Sequence, residues 1–302
     1  MYDIVLIANP NARKGKAQKK LDYIINYFKQ SGYEIAPFYT KKAFDAIEIA
    51  KRVVDEGCNI VIAAGGDGTV NECADGIMRA SKKAKLGIIP IGRGNDFAFV
   101  ASIPLDIKQA CDLIISQKSK KTDVGIVKGG NFPQGRYFLN GVGIGFEPTV
   151  NFKASSYKHL NGMPSYVAAF FYVLIHTPKP IKTKLEFEGQ ERIIETQQIS
   201  ICNGRRMGSS FIMAPHGVID DGKIDLIFTN APVSGLEMFS CALDFFKGKQ
   251  LRRKKFEEYK VTEVNIEGES SFPLHADGEV ISYSTNKCSI KLLPGAIEIF
   301  RE

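Results

Sequence analysis

Hydrophobic and polar positions follow two different rhythms along this chain. In the first 120 residues, Asp3 to Ala8 is a β-branched run, Ala17 to Gln30 carries apolar residues at helical spacing, and Glu34 to Thr40 returns to strand character. Ala43 to Asp55 is helical again, Asn59 to Ala64 is a short apolar run, Val70 to Ala80 is helix-like, Leu86 to Ile91 reads as a strand and Ile107 to Gln117 as a helix. Strands and helices alternating at this spacing predict βαβ units and a mostly parallel sheet. Ile60-Val61-Ile62-Ala63-Ala64 has no polar face, as expected of a strand buried on both sides.

Beyond about Ser119 the period becomes two. Tyr137 to Ile144, Thr183 to Glu188, Arg192 to Cys202, Lys223 to Phe228, Lys260 to Glu267 and Cys288 to Leu293 are separated by Gly, Asn and Pro. This half is predicted to be a mainly antiparallel β-sandwich, interrupted by helices at Ser165 to His176 and Ser234 to Lys247. The expected fold is therefore an α/β N-terminal domain followed by a β-rich C-terminal one. No internal repeat or low-complexity segment is evident.

Length and composition agree with that reading: 302 residues suit two domains, and 44% apolar with 24% charged residues excludes a disordered or fibrous chain. MYDIVLIANP enters directly on a strand-like run, so a secretion leader is not expected. The longest apolar stretch, Tyr166 to Ile175, is shorter than the roughly 20 residues that span a bilayer, so an integral membrane protein is not expected. That stretch is apolar nearly all round and reads as a buried helix. Six scattered cysteines without a CxxC read as buried thiols in a reducing cytoplasm. The formal charge is 40 − 33 = +7, with basic clusters at Arg13 to Lys20 and Lys247 to Lys255. An anionic substrate or membrane surface fits this mild excess better than nucleic acid does. His159, His176, His216 and His275 show no zinc-binding spacing.

The chemistry concentrates at Gly65-Gly66-Asp67-Gly68-Thr69, where a buried strand ends and a helix opens. Glycines allow the backbone to approach a ligand closely, and the amides of a turn and helix N-terminus favour phosphate. The loop is neither a Walker A sequence nor GxGxxG. Transfer of a phosphoryl group to an alcohol needs such a cradle, Mg²⁺ to neutralise charge, and a carboxylate near the acceptor hydroxyl.

With the following Val70-Asn71-Glu72, this loop resembles the nucleotide-binding signature of the diacylglycerol kinase catalytic domain, shared by bacterial lipid kinases and sphingosine kinases. Three further segments agree in order and spacing. Asn9-Pro10-Asn11, with Arg13, Lys14, Gly15 and Lys16, is similar to the family's opening turn; Pro90-Ile91-Gly92-Arg93-Gly94-Asn95-Asp96-Phe97-Ala98 resembles its second loop; Ala276-Asp277-Gly278-Glu279 resembles its late Asp-Gly-Glu motif. Arg93 departs from the family's usual Thr, and Asn11-Ala12-Arg13 lacks the common Ser-Gly.

The resemblance implies an ATP- and Mg²⁺-dependent lipid kinase acting on diacylglycerol or, alternatively, on a sphingoid base or ceramide. An ATP-binding domain would span residues 1–122, with the strand at about 295–302 returning to it, and a lipid-substrate domain would span 123–294. A cleft between the two would enclose the substrate. Asn9, Thr40, Gly65, Gly66, Asp67, Gly68, Thr69, Asn71 and Arg93 would contact nucleotide, Asp67, Asp96 and Asp123 would organise Mg²⁺ and phosphates, and Glu279 would be the general base. By residue type alone, Asp96 reads equally as a helix cap, Asp123 as a solvated turn and Asp277-Gly278 as a hairpin turn. In Gly217 to Asp225, which could be only a turn, the resemblance implies a structural Mg²⁺ held by Asp221 and the carbonyls of Val218 and Lys223.

NAD kinase also carries Gly-Gly-Asp-Gly, but places its Asn-Glu pair much further downstream than Asn71-Glu72. A non-catalytic nucleotide- or lipid-binding protein is opposed by Asp67, Asp96, Asp123 and Glu279. The implied partner is a lipid at a membrane surface, met transiently at the inner face by a cytoplasmic protein that does not bind nucleic acid; a homodimer stays open. In Gly235 to Phe246, Leu236, Phe239, Leu243 and Phe246 form one helical stripe ahead of a basic cluster. That pattern fits either an interfacial docking segment or a core-facing helix with a solvated basic loop.

Overall fold

The computed structural model describes residues 2–10, 17–157, 160, 163–208 and 210–302. Asn11, Ala12, Arg13, Lys14, Gly15, Lys16 and His159 lie outside the described residues. The chain divides into two compact units, Met1–Val124 with Pro294–Glu302, and Gly125–Leu293.

The first unit runs β1 (Ile4–Ala8), α1 (Ala17–Gln30), β2 (Ala36–Tyr39), α2 (Asp45–Asp55), β3 (Ile60–Gly65), α3 (Asp67–Arg79), β4 (Lys85–Pro90), α4 (Asp96–Val100) and α5 (Ile107–Ile115), then enters β5 (Ser119–Gly129). Strands β2, β1, β3 and β4 are neighbours in that order and all parallel. The last residues of the chain add a further parallel strand beside β4, with Glu298 opposite Lys85. Ile4, Leu6, Ile60 and Ile62 pack with Leu21, Ile24 and Phe28 of α1 and Ile114 of α5. The alternate residues Val5, Ile7, Val61 and Ala63 are equally buried, and α2 and α3 pack on these strands. This two-sided burial is why the strands lack a polar face; each large side chain so buried contributes roughly 1.5–3 kcal/mol. Helices α2 and α3 approach closely at Gly76, where a Cβ would lie 2.4 Å from the Ile47 carbonyl oxygen.

The second unit continues with β6 (Phe132–Phe138), β7 (Gly141–Gly145), α6 (Phe146–Ser156), α7 (Met163–Ile175), β8 (Ile181–Phe187), β9 (Gln190–Thr196), β10 (Gln198–Cys202), β11 (Arg206–Met207), β12 (Phe211–Ile212), β13 (Ile224–Thr229), α8 (Gly235–Lys247), β14 (Phe256–Val261), β15 (Glu263–Ala276) and β16 (Glu279–Phe300). Strands β14, β13, β10, β7 and β15 are antiparallel neighbours. The register of β15 against β16 slips between Glu267 and His275. These bulges bend β15, so its first half pairs with β8 and its end with β7. Leu185, Phe187, Ile199, Leu226, Phe272 and Ile281 meet in the resulting sandwich core, in agreement with the expected fold class.

Several elements differ from the sequence reading. The single strand expected over Tyr137 to Ile144 is two, β6 and β7, because the amides of Leu139 and Asn140 are bonded to the Asp277 carboxylate. Arg192 to Cys202 breaks at Gln197, whose side chain bonds the Pro178 carbonyl and the Val233 amide. Helix α6 was not expected, since FEPTVNFKASS places no apolar stripe at helical spacing. Helix α7 is not wholly buried: Val167, Phe171, Tyr172 and Ile175 are exposed. All six cysteines are free and buried, and burial pushes the Cys111 and Cys288 thiols up to about 12.

Candidate active site

Parallel pairing brings the carboxyl ends of four strands to one edge of the first unit. Ala8 is level with Tyr39 and Ala64, and Gly65 with Pro90, so Asn9, Thr40, Gly66 and the Arg93 loop follow one another along that edge. Open α/β sheets bind ligands there. The Thr40 amide donates to the Ala8 carbonyl at 2.9 Å, holding the end of β2 against β1.

The glycine loop meets the second loop through close backbone contact, to which the Asp67 carboxylate adds one side-chain bond. The amides of Ile91 and Gly92 both donate to the Gly65 carbonyl, at 3.0 and 3.1 Å. A Cβ on Gly92 would lie 2.2 Å from the Gly66 Cα, and one on Gly65 would lie 2.4 Å from the Thr69 Cβ. The apolar periodicity begins at Val70, whereas α3 starts at Asp67 because Gly66 already serves as N-cap. No side chain caps that end, and the first intrahelical bond runs from the Val70 amide to the Gly66 carbonyl. The amides of Asp67, Gly68 and Thr69 therefore project from the helix start, an arrangement suited to phosphate.

Asp67 and Asp96 stand at the first positions of α3 and α4, and the Asp67 carboxylate accepts the Phe97 amide at 3.1 Å. Asp96 is buried, while Arg93 is exposed at the same edge. Asn71 is buried on α3. Asp123 is also buried and accepts the Gly295 amide at 2.6 Å, which fastens the returning strand. Glu72 was not assigned a role from sequence. Its two oxygens accept the Phe44 and Ala46 amides, each at 3.1 Å, and so cap the start of α2.

In the second unit, Asp277 (φ 48°) and Gly278 (φ 82°) form a hairpin turn between β15 and β16, with Ala276 opposite Glu279. The Asp277 carboxylate accepts the amides of Leu139, Asn140 and Gly141 at 2.7–2.9 Å. Asn151 donates to the Gly278 carbonyl at 2.6 Å. His275 Nδ1 accepts the Gly278 amide, which leaves its Nε2 to carry the proton, 3.2 Å from Glu147. Glu279 leaves this fixed turn half-buried, with its Oε2 2.8 Å from the guanidinium of the buried Arg136. The arrangement can hold an ionised carboxylate in one place and let it accept a proton. No local pattern marks Arg136, because its partner Glu279 lies 143 residues away in the chain.

At Asp221 the Lys223 amide donates to Oδ1 at 3.0 Å and the Lys260 ammonium to Oδ2 at 2.8 Å. Lys260 also lies 3.2 Å from the buried Asp225 and 3.3 Å from the His216 carbonyl oxygen. Burial raises the Asp225 carboxyl to about 6 despite this partner. Among the described residues no three His, Cys, Asp or Glu gather as a metal site. The donor set of Asp221 does not fit Mg²⁺ while the lysine holds it, since the ammonium already occupies the cation's place.

Residues 3–127 match the diacylglycerol kinase catalytic domain, and residues 140–301 match the YegS C-terminal NAD kinase beta sandwich-like domain. A diacylglycerol kinase of Staphylococcus carnosus (strain TM300) is 29% identical over 279 residues, covering 91% of this chain and 87% of that protein. One from Staphylococcus aureus (strain MRSA252) is 30% identical over 278 residues, covering 91% and 85%. A solved structure of a diacylglycerol kinase from Bacillus anthracis str. Sterne superposes with a TM-score of 0.73 over 100% of this chain and 97% of that one; at 23% identity it speaks to the fold. Matched in both units and along nine-tenths of its length, the chain belongs to the diacylglycerol kinase family of lipid kinases.

Proposed function

We propose that the protein transfers the γ-phosphoryl group of ATP to the hydroxyl of diacylglycerol, giving phosphatidic acid and ADP. The observation that carries the ATP reading is the uncapped start of α3 at the carboxyl edge of the parallel sheet, with Gly66 and Gly92 in backbone contact beneath it. Its amides hold phosphate oxygens, and Arg93, Asn9, Thr40 and Asn71 complete the nucleotide contacts. Glu279, steadied by Arg136, accepts the hydroxyl proton as the lipid oxygen bonds to the γ-phosphorus and the bond to the β–γ bridging oxygen breaks. Mg²⁺, when bound, neutralises charge on the phosphates; Asp67 and Asp96 are the side chains proposed to hold it, with Asp123 in support. A structural Mg²⁺ at Asp221, with the carbonyls of Val218 and Lys223, requires Lys260 to withdraw.

The names of the curated relatives support diacylglycerol as acceptor. No helix among the described residues is long and apolar enough to cross a membrane, and the protein is proposed to act from the cytoplasm on lipid at the inner membrane surface. Radiolabelled ATP offered with diacylglycerol, monoacylglycerol, sphingosine, ceramide and NAD tests the reading. Labelled phosphatidic acid is expected. Label on sphingosine or ceramide alone would move the assignment to that lipid class, and label on NAD alone would overturn it.

A further inference from the structure

Helix α8 is fixed at both ends, by a capping box between Ser234 and Glu237 and by Gly248 in the left-handed conformation after its last turn. It has two apolar faces. Met238 and Cys241 turn inward and join Met207, Met213 and Ile227 in a small core, with Ala242 buried beside them. The longer stripe, Leu236, Phe239, Leu243 and Phe246, faces solvent, with Leu236 84% exposed. Of the two readings of the stripe, the core-facing one is not met, because Met238, Cys241 and the partly buried Phe245 already supply the inner face.

The outward stripe continues onto α7. The Phe171 ring lies 6.2 Å from that of Phe239, and Ile175 is 80% exposed. The helices meet closely where α8 begins, since a Cβ on Gly235 would lie 3.1 Å from the Leu174 carbonyl oxygen. At the far end of α8 the basic segment divides in two. Arg253 pairs with Asp244 and Lys255 with Glu237. Lys247, Lys249, Arg252 and Lys254 are exposed and, among the described residues, have no carboxylate partner.

We propose that the outward faces of α7 and α8 seat the protein on an anionic membrane, with those four cations meeting lipid phosphates; this rests on the lipid kinase reading. Charge complementarity selects the occupant. An apolar helix face bordered by uncompensated cations matches an anionic bilayer interface, where apolar side chains enter below the headgroups and cations stay among them. A second copy of the same face would oppose its own cations.

The test is co-sedimentation with vesicles of phosphatidylcholine alone or with phosphatidylglycerol, alongside phosphorylation of diacylglycerol in neutral detergent micelles. Wild type should bind the phosphatidylglycerol vesicles, and binding should fall with added salt. Joint change of Leu236, Phe239, Leu243 and Phe246 to Ser, or of Lys247, Lys249, Arg252 and Lys254 to Gln, should weaken it at least tenfold, with unchanged circular dichroism and micellar activity. Vesicle binding that ignores salt and both sets of substitutions overturns the proposal. So does a dimer in solution that the Ser variant splits while vesicle binding persists. Absence of lipid phosphorylation by wild type in micelles would instead overturn the kinase reading, and the vesicle result would still stand by itself.

Discussion

Gly65-Gly66-Asp67-Gly68 and Asp277-Gly278-Glu279 use the same residue types to opposite ends. In the first unit glycine removes side chains so that two loops touch through backbone, and the helix amides beyond them have no cap. In the second unit the glycine completes a hairpin whose surroundings tie it down: Asp277 to three amides, Asn151 to the turn carbonyl, Arg136 to Glu279. In the proposed function the first loop receives the nucleotide, while the second holds one carboxylate still. An Asp-Gly pair is thus interpretable only through what its amides and oxygens meet.

The strongest way to break this contrast is Asp67→Ala. ADP release should fall about a thousandfold with loss of the group proposed to position Mg²⁺ and phosphate, while loss of the bond to the Phe97 amide should cost only about 1 kcal/mol in denaturant titrations. Glu279→Gln should lower kcat about a hundredfold with folding stability retained, measured by initial rates and thermal melting. Arg136→Gln should lower kcat about tenfold and stability by roughly 3 kcal/mol, because it strands Glu279 at a partly buried site; Arg136→Lys should recover part of the rate. The mildest change is Lys260→Met. The Asp225 carboxyl is raised by burial to about 6, so its contribution to stability is present at low pH and is lost as pH rises through that value. Without the compensating ammonium the melting temperature should fall further below wild type at pH 8 than at pH 5. Added Mg²⁺ should narrow the gap at pH 8 if Asp221 takes the ion once Lys260 is gone.

The parallel half was legible because its strands are continuous apolar runs and its helices carry single stripes, so period alone separates them. The β-rich half was legible as a class but not in its joints. The break between β6 and β7 is made by Asp277, 137 residues from Asn140, and no local pattern announces it. Helix α8 showed its long stripe plainly, yet the direction of that stripe depended on Met238, Cys241 and Phe245 finding a core. At the candidate site, the glycines and carboxylates stood out by type. Their supports did not: Glu72 capping α2, Arg136 holding Glu279, and Lys260 between Asp221 and Asp225 are pairings that only the fold creates.

Equilibrium binding of ATP in the presence of Mg²⁺, compared between Glu279→Gln and Gly92→Ala, tests most directly whether nucleotide is held by the first unit's loops and chemistry by the second unit's carboxylate. Glu279→Gln should keep its Kd within about twofold of wild type. Gly92→Ala, whose new Cβ would lie 2.2 Å from the Gly66 Cα, should bind at least about tenfold more weakly. Weakened binding in Glu279→Gln together with unchanged binding in Gly92→Ala would contradict the account.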